Sequence, residues 1–333
     1  MKVLVVGDMH VVPGEIQDCE NLLKLIVESA DKYKVEQIVF LGDQHHCHDT
    51  LNSKVMAFWW DAIHYKLNQE SVFLIGNHDF QNPSSMMPHS MVVHKLEERA
   101  TIVDQPVNVL CTDFCAMPYY YNPLEFIEAA TKLKQNNPEI ETLFCHETFT
   151  GADEGVGYFA KEAVEPSAIP FANIWSGHIH KPMVLGKVKY PGSPRWRTLS
   201  DADIPERHIY VLEDGKAPIA IPTSTHCTKI YKFEDSELEP LNINLTPDQL
   251  TRADLRIQIN GTSEYITKRM SEFKAKYSAK CRGVPIRNKS IKASESEGIT
   301  TAFQKYTKAF TPPNGTDKDH LMKECYARLG LGL

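Results

Sequence analysis

The sequence predicts an α/β protein with a small α+β appendage and a helical tail, on three observations. Short apolar runs alternate with helix-period segments over roughly the first 215 residues, the pattern of strands interleaved with helices. Five polar clusters each follow one of the apolar runs: Gly7-Asp8-Met9-His10, Gly42-Asp43, Gly76-Asn77-His78-Asp79, Cys145-His146 and Gly177-His178-Ile179-His180. That places them on loops at the carboxyl ends of strands, where open α/β sheets collect ligands. Beyond residue 232 the spacing changes to two short strands about one helix and then two amphipathic segments.

In chain order, the spacing predicts strands near Val3–Val6, Gln37–Leu41, Val72–Ile75, Thr142–Cys145, Asn173–Trp175 and His208–Leu212. Leu22, Leu23, Ile26 and Ala30 recur at helical spacing between the first two strands, and Val55, Phe58, Trp59, Ile63 and Leu67 do so before the third. A strand-like stretch at Gly186–Tyr190 runs into the turn Pro191-Gly192-Ser193-Pro194-Arg195. The principal domain is expected to span 1–232. A unit of 233–292 follows, with a strand over Leu255–Ile259, a helix over Glu264–Tyr277 and a further strand at Val284–Arg287. Residues 293–333 read as a helical hairpin: Phe303, Tyr306 and Phe310 stripe one segment, and Leu321, Met322, Cys325 and Leu329 the other. Pro312-Pro313-Asn314-Gly315 parts them, with Thr316 or Asp317 as N-cap.

Composition excludes several classes. Charged residues at 24% and the hydrophobic set at 42% of 333 residues are those of a globular protein rather than a disordered or fibrous one. The apolar run after Met1 is too short for a signal segment, and no stretch approaches a membrane span, so a cytoplasmic protein without a membrane partner is expected. Eight scattered cysteines without a CxxC pair predict free thiols. Cys111 and Cys115, the nearest pair, lack a second pair to complete a structural zinc site. The net charge of −7 argues against a wholly basic surface, yet Thr267–Lys292 holds nine Lys/Arg against the single acid Glu272. This stretch carries +8 and the remainder −15.

The clusters supply seven N/O side chains: Asp8, His10, Asp43, Asn77, His146, His178 and His180. Seven such ligands with one shared carboxylate fill two octahedral-type sites and leave room for water. Asp43 can bridge two ions, which a histidine cannot. Asn77 coordinates through a neutral oxygen and adds no negative charge to a site that must accept a phosphate. Mixed O/N ligation suits manganese, iron or zinc better than calcium or magnesium. Ile179 separates His178 from His180, so in extended backbone both rings would project to one side and could serve one metal each. His78 is not needed for the count and is free to protonate or stabilise a leaving oxygen, with Asp79 to orient it. His45, His46, His48, His64, His89, His94, His208, His226 and His320 are expected to be ordinary structural or surface histidines.

This order of motifs resembles the calcineurin-like metallophosphoesterases, two-metal enzymes that cleave phosphate mono- and diesters. The resemblance implies a four-layer α/β/β/α sandwich. Asp8, His10 and His180 would hold one metal, Asn77, His146 and His178 the other, with Asp43 bridging and His78 catalytic. Within that superfamily the chain looks most like the SbcD-type nucleases of double-strand-break repair and phage recombination. Cys145-His146-Glu147-Thr148-Phe149-Thr150-Gly151 resembles their histidine loop, and His180-Lys181-Pro182 followed by Tyr190-Pro191-Gly192-Ser193-Pro194 resembles their last motif. Many superfamily members carry Gly-Asp-x-x-Asp at the second cluster, where this chain has His46. The resemblance implies a DNA nuclease with two divalent metals, most aptly Mn2+, that combines duplex-end exonuclease and single-strand endonuclease action through attack of activated water. It also implies a homodimer and an SbcC-type coiled-coil ATPase docked on the tail. DNA would be held by Lys268, Arg269, Lys274, Lys276, Lys280, Arg282, Arg287 and Lys289 on the 233–292 unit. The length, short for cellular members, fits a phage-encoded or minimal version acting in the host cytoplasm. Tyr119, Tyr120 and Tyr121 could stack on unpaired bases or pack within their loop. Two alternatives stand beside this reading: a phosphatase or cyclic-nucleotide phosphodiesterase on the same site, which would not need the basic segment, and a non-catalytic scaffold for DNA and ATPase.

Overall fold

The computed structural model describes residues 2–285 apart from 49, 85–87, 110, 111, 156 and 162. The chain divides into a compact unit of residues 1–284 and a second of residues 285–333, of which only Pro285 is described. The expected tail hairpin, Arg287, Lys289, Lys292, Cys111, Cys325 and His320 therefore lie outside the described residues.

The first unit opens with β1 (Lys2–Val6), α1 (Ile16–Tyr33), β2 (Gln37–Phe40), α2 (Ser53–Asp61), β3 (Glu70–Leu74) and β4 (Ala100–Val103). Asn52 caps α2 by accepting from the Lys54 amide at 2.9 Å, and the helix runs on into a π-helical turn over Ala62–Lys66. Next come β5 (Val107–Asn108), β6 (Phe114–Ala116), α3 (Pro123–Asn136), β7 (Thr142–Cys145), β8 (Asp153–Gly155), β9 (Tyr158–Phe159) and β10 (Asn173–Ser176). The hairpin of β11 (Met183–Leu185) and β12 (Val188–Tyr190) turns at Gly186, and β13 (His208–Glu213) and β14 (Ile219–Pro222) close the sandwich.

Two six-stranded sheets result, ordered β14-β13-β1-β2-β3-β4 and β11-β12-β10-β7-β6-β5. The parallel core of each arises from βαβ crossovers: β1 pairs in parallel with β2 and β2 with β3 in one sheet, and β6 with β7 across α3 in the other, where β10 adds in parallel to β7. Alternation along β1 sorts its side chains. Val3 and Val5 join Val39, Leu41, Val72, Leu74, Phe114, Phe144 and Trp175 between the sheets, whereas Leu4 and Val6 pack with Leu22, Leu23, Ile26, Phe58 and Trp59 under α1 and α2. On the far side Leu143, Cys145 and Ile174 pack under Phe126, Ala130 and Leu133 of α3. The layers are thus α/β/β/α.

A smaller sheet follows: β15 (Lys229–Ser236), α4 (Pro247–Thr251), β16 (Ala253–Gly261), α5 (Ser263–Tyr277) and β17 (Lys280–Pro285), ordered β15-β16-β17. β15 and β16 run parallel, and Leu255, Ile257 and Ile259 pack against Ile266 and Phe273 of α5. The last strand begins at Lys280, before the Val284 start that the spacing suggested. Among the described residues Cys19, Cys47, Cys115, Cys145, Cys227 and Cys281 are free thiols.

Candidate metal centre

The loops after β1, β2, β3, β7 and β10 converge at one end of the sandwich and bring all seven expected side chains together. Asp8, His10 and His180 present ligand atoms within 4.8 Å of one another, and so do Asp43, His146 and His178. Asn77 Oδ1 joins the second group, 3.1 Å from His146 Nε2 and 2.8 Å from His178 Nδ1. Asp43 faces both groups, with Oδ2 3.4 Å from His10 Nε2 and Oδ1 3.5 Å from His146 Nε2. His178 and His180 go one to each group, but the backbone is not extended there: His178 has φ 75° and Ile179 is buried.

Local backbone is strained where the site is made. His10 (φ 44°), Asp43 (φ 52°) and His178 (φ 75°) lie in the left-handed region that costs a non-glycine residue about 1–3 kcal/mol. Glycine permits the close approach of the loops. A Cβ on Gly42, itself at φ 115°, would stand 2.2 Å from His146 Nδ1, and one on Gly76 would stand 2.2 Å from Asp43 Oδ1.

The electrostatics ask for cations. Both oxygens of Asp8 are buried without a hydrogen-bond partner, and burial, reinforced by Asp43, pushes this carboxyl up to about 7. Burial also raises Asp43, yet His146 and His10 outweigh it and hold the group well below the carboxylate range. Burial lowers His10 strongly, and takes His178 to about 3 and His180 to about 4, leaving three neutral imidazoles. His146 goes the other way: Asp43 and Asp8 overcome its burial and lift it to about 10. A proton on His146, 3.8 Å from Asp8 Oδ1, offsets the buried carboxylates as a divalent cation would, and a carboxylate whose buried oxygens accept no hydrogen bond, facing the neutral rings of His10 and His180, fits such an ion.

His78 lies beside this centre. Its amide donates to Asp43 Oδ1 at 2.8 Å, its Nδ1 donates to the His46 carbonyl at 2.7 Å, and its ring stacks on His46 and His48 with centroids 5.2 and 4.4 Å away. The expected orienting role of Asp79 is not what the geometry provides. Its carboxylate accepts from the amides of Gln44 (3.3 Å), His45 (2.9 Å) and Gly76 (3.0 Å) and from Ser90 Oγ (3.3 Å), so it ties two ligand loops together. The His46 carbonyl orients His78 instead.

His46 is a residue that sequence reasoning set aside. It groups with His10 and His78 within metal-ligand distance, and Arg197 Nη1 approaches its Nδ1 at 3.0 Å. Its position three residues beyond Asp43, where the resemblance to the superfamily's second motif puts an aspartate, is the signal the sequence offers. Tyr119 stacks on His178, centroids 5.8 Å apart at 24°, so it packs against the centre itself.

The basic segment divides. Lys268, Lys274, Lys276 and Arg282 are exposed. Arg269 is not a free cation: its guanidinium donates to Asp235 (Nη2 2.7 Å, Nε 3.1 Å), Glu272 and the Leu241 carbonyl, and lies 4.3 Å from the Phe273 ring centroid. Lys280 pairs with Asp254 at 3.2 Å.

A four-layer sandwich with paired Asp/His/Asn groups at its strand ends defines the class of metal-assisted phosphoester hydrolases. The family described as calcineurin-like phosphoesterase matches residues 1–182, and the chain belongs to it. It is therefore a phosphoesterase of a family that works with divalent metals. It is 22% identical to exonuclease subunit 1 of Enterobacteria phage T4 over 346 aligned positions, covering 97% of each chain. It is also similar to a solved structure, the Pseudomonas putida nuclease MPE, at 15% identity and a TM-score of 0.31, over 66% of this chain and 87% of that one.

Proposed function

We propose that the protein is a metal-dependent DNA nuclease acting on duplex ends and on single strands, in recombination or break repair beside a coiled-coil ATPase of the SbcC type. One observation carries the reading: two ligand groups sharing Asp43 occur in a chain that aligns along its whole length with a phage exonuclease subunit. Asp8, His10 and His180 would hold one ion, Asn77, His146 and His178 the other, and Asp43 both. The mixed oxygen and nitrogen set suits Mn2+. Divalent ions supply, when bound, charge that activates water and stabilises the phosphate oxygens.

The chain's own groups do the rest. With Nδ1–H committed to the His46 carbonyl, Nε2 of His78 is the ring atom left to face the leaving oxygen, and it would deliver a proton there from the doubly protonated ring, which returns to the neutral Nδ1–H form. Lys268, Lys274, Lys276 and Arg282 offer exposed charge for the DNA backbone, where affinity falls steeply with salt. The division into 1–232, a DNA-capping 233–292 and an ATPase-docking 293–333 belongs to the same proposal, as do a homodimer and action in the cytoplasm. Among the described residues no helix is long and apolar enough to cross a membrane.

The test is cleavage of an end-labelled duplex by the purified chain. Shortening is expected with Mn2+ and none with a chelator. His78→Ala should slow cleavage by about 10²- to 10⁴-fold, the usual share of a proton-transfer group, while Mn2+ stays bound. Duplex left intact with Mn2+ and the ATPase present, alongside rapid hydrolysis of bis-p-nitrophenyl phosphate, would overturn the DNA reading and leave a small-substrate phosphodiesterase.

A further inference from the structure

Two arginines are wholly buried in the sandwich, Arg195 and Arg207, and neither is among the ligand candidates. A buried guanidinium is costly unless its donors are used, so where those donors go is informative. Arg195 gives Nε to the Met9 carbonyl (2.9 Å), Nη2 to the His10 carbonyl (2.7 Å) and Nη1 to Glu15 (2.6 Å). Arg207 gives Nη1 to the carbonyls of His180 and Ser193 and Nη2 to Asp201. Between them Ser193 donates Oγ to the Asp8 carbonyl (3.0 Å) and its amide to the His180 carbonyl (3.1 Å).

The backbone carbonyls of Asp8, His10 and His180 are thus all held by residues of one segment, 193–207. These three residues form one ligand group. His10 is also held at φ 44°, a conformation its surroundings must impose. Among the described residues, no side-chain hydrogen bond from Ser193, Arg195 or Arg207 reaches Asp43, Asn77, His146 or His178. That second group is seated otherwise, with His146 Nδ1 donating to the Leu41 carbonyl at 2.7 Å.

We infer that residues 193–207 form a strap whose Ser193, Arg195 and Arg207 are positioning residues for one of the two metal sites, that of Asp8, His10 and His180, and not for the other. The inference rests on the ligand assignment proposed above. The strap acts through backbone: it orients side chains by fixing the carbonyls of the residues that bear them. Hydrogen-bond partners of ligating side chains are worth about 10- to 100-fold in metal affinity when removed, and the strap, acting through backbone, is expected to reach that scale.

Mn2+ alone is the probe, in binding isotherms and electron paramagnetic resonance on the full chain. The variants are Arg195→Lys, which keeps the charge but offers one donor nitrogen in place of three, and Ser193→Ala, which removes one hydroxyl and stays informative if Arg195 variants do not fold. Wild type should bind two ions and show the spectrum of a coupled pair. In Arg195→Lys one ion should bind about 10- to 100-fold more weakly while the other is unchanged, so the spectrum of isolated Mn2+ appears at sub-saturating metal. Ser193→Ala should shift the same ion by less, and turnover should recover at saturating Mn2+. Equal weakening of both ions, or a lowered melting temperature with neither affinity changed, would reduce the strap to a stabilising element and overturn the inference alone. A wild type that binds one ion would overturn the two-metal reading itself, and the inference with it.

Discussion

The two ligand groups of the centre are built differently although they share Asp43. Asp43, Asn77, His146 and His178 sit where strands of both sheets end, and they are placed by steric contact: glycine backbone lies against His146 and Asp43, and the His146 ring is bonded to Leu41. Asp8, His10 and His180 also sit at strand ends, with the His10 amide donating to the Asp43 carbonyl at 2.8 Å and a Cβ on Gly177 standing 2.5 Å from Asp8 Oδ1, but here a later segment in addition ties down their carbonyls. Close glycine contact thus occurs in both groups, and what sets the second apart is that hydrogen bonds from residues 193–207 hold its backbone. A glycine contact tolerates no added atom, whereas a hydrogen-bonded strap can be loosened by degrees.

That difference can be tested by substitution. The largest effect should come from Asp43→Asn, because Asp43 belongs to both groups. Phosphodiester hydrolysis should fall on the order of 10³-fold, the scale of losing a preorganised charged group, and both Mn2+ affinities should drop. If one ion kept its affinity, Asp43 would serve a single site and the sharing would be wrong. Next in size is Gly42→Ala, in which a Cβ 2.2 Å from His146 Nδ1 meets a backbone at φ 115°. Denaturant unfolding should show a loss of at least about 1–3 kcal/mol from the backbone conformation alone. The Mn2+ on the His146 side should be the one lost. Unchanged unfolding and binding would mean that shape does not seat this group. The smallest effect belongs to Tyr119→Leu. Loss of the stack on His178 removes about 0.5–1.5 kcal/mol, or about 2- to 10-fold in affinity, from the same ion. An effect on the other ion would blur the distinction between the halves.

Much of the site was legible because its residues announce themselves by type and neighbour. Asp8, Asp43, Asn77 and His178 each follow a glycine at the end of an apolar run, with His10, His146 and His180 in the same five clusters, and β1, β2, β3, β7, β10 and β13 were legible to within a residue or two as short apolar runs. Less legible were β4, β5 and β6, which are short or irregular, and α3, whose apolar face at Phe126, Ala130 and Leu133 is diluted by charge. Asp79 was misjudged because adjacency in sequence to His78 says nothing about which way a carboxylate points. It points instead to amides 34 and 35 residues away. Arg269 was counted with its cationic neighbours, although Asp235, on a distant strand, takes it out of the free charge.

From the sequence alone follow the fold class and the seven N/O side chains that gather at the strand ends, since hydrophobic period and residue type are local properties. Tertiary structure alone decides which carbonyls Arg195 and Arg207 hold, that the His46 ring joins the centre while its carbonyl orients His78, and that Asp43 faces both groups. These relations join residues up to 186 positions apart. Their strength depends on distance and burial, which the order of residues does not encode.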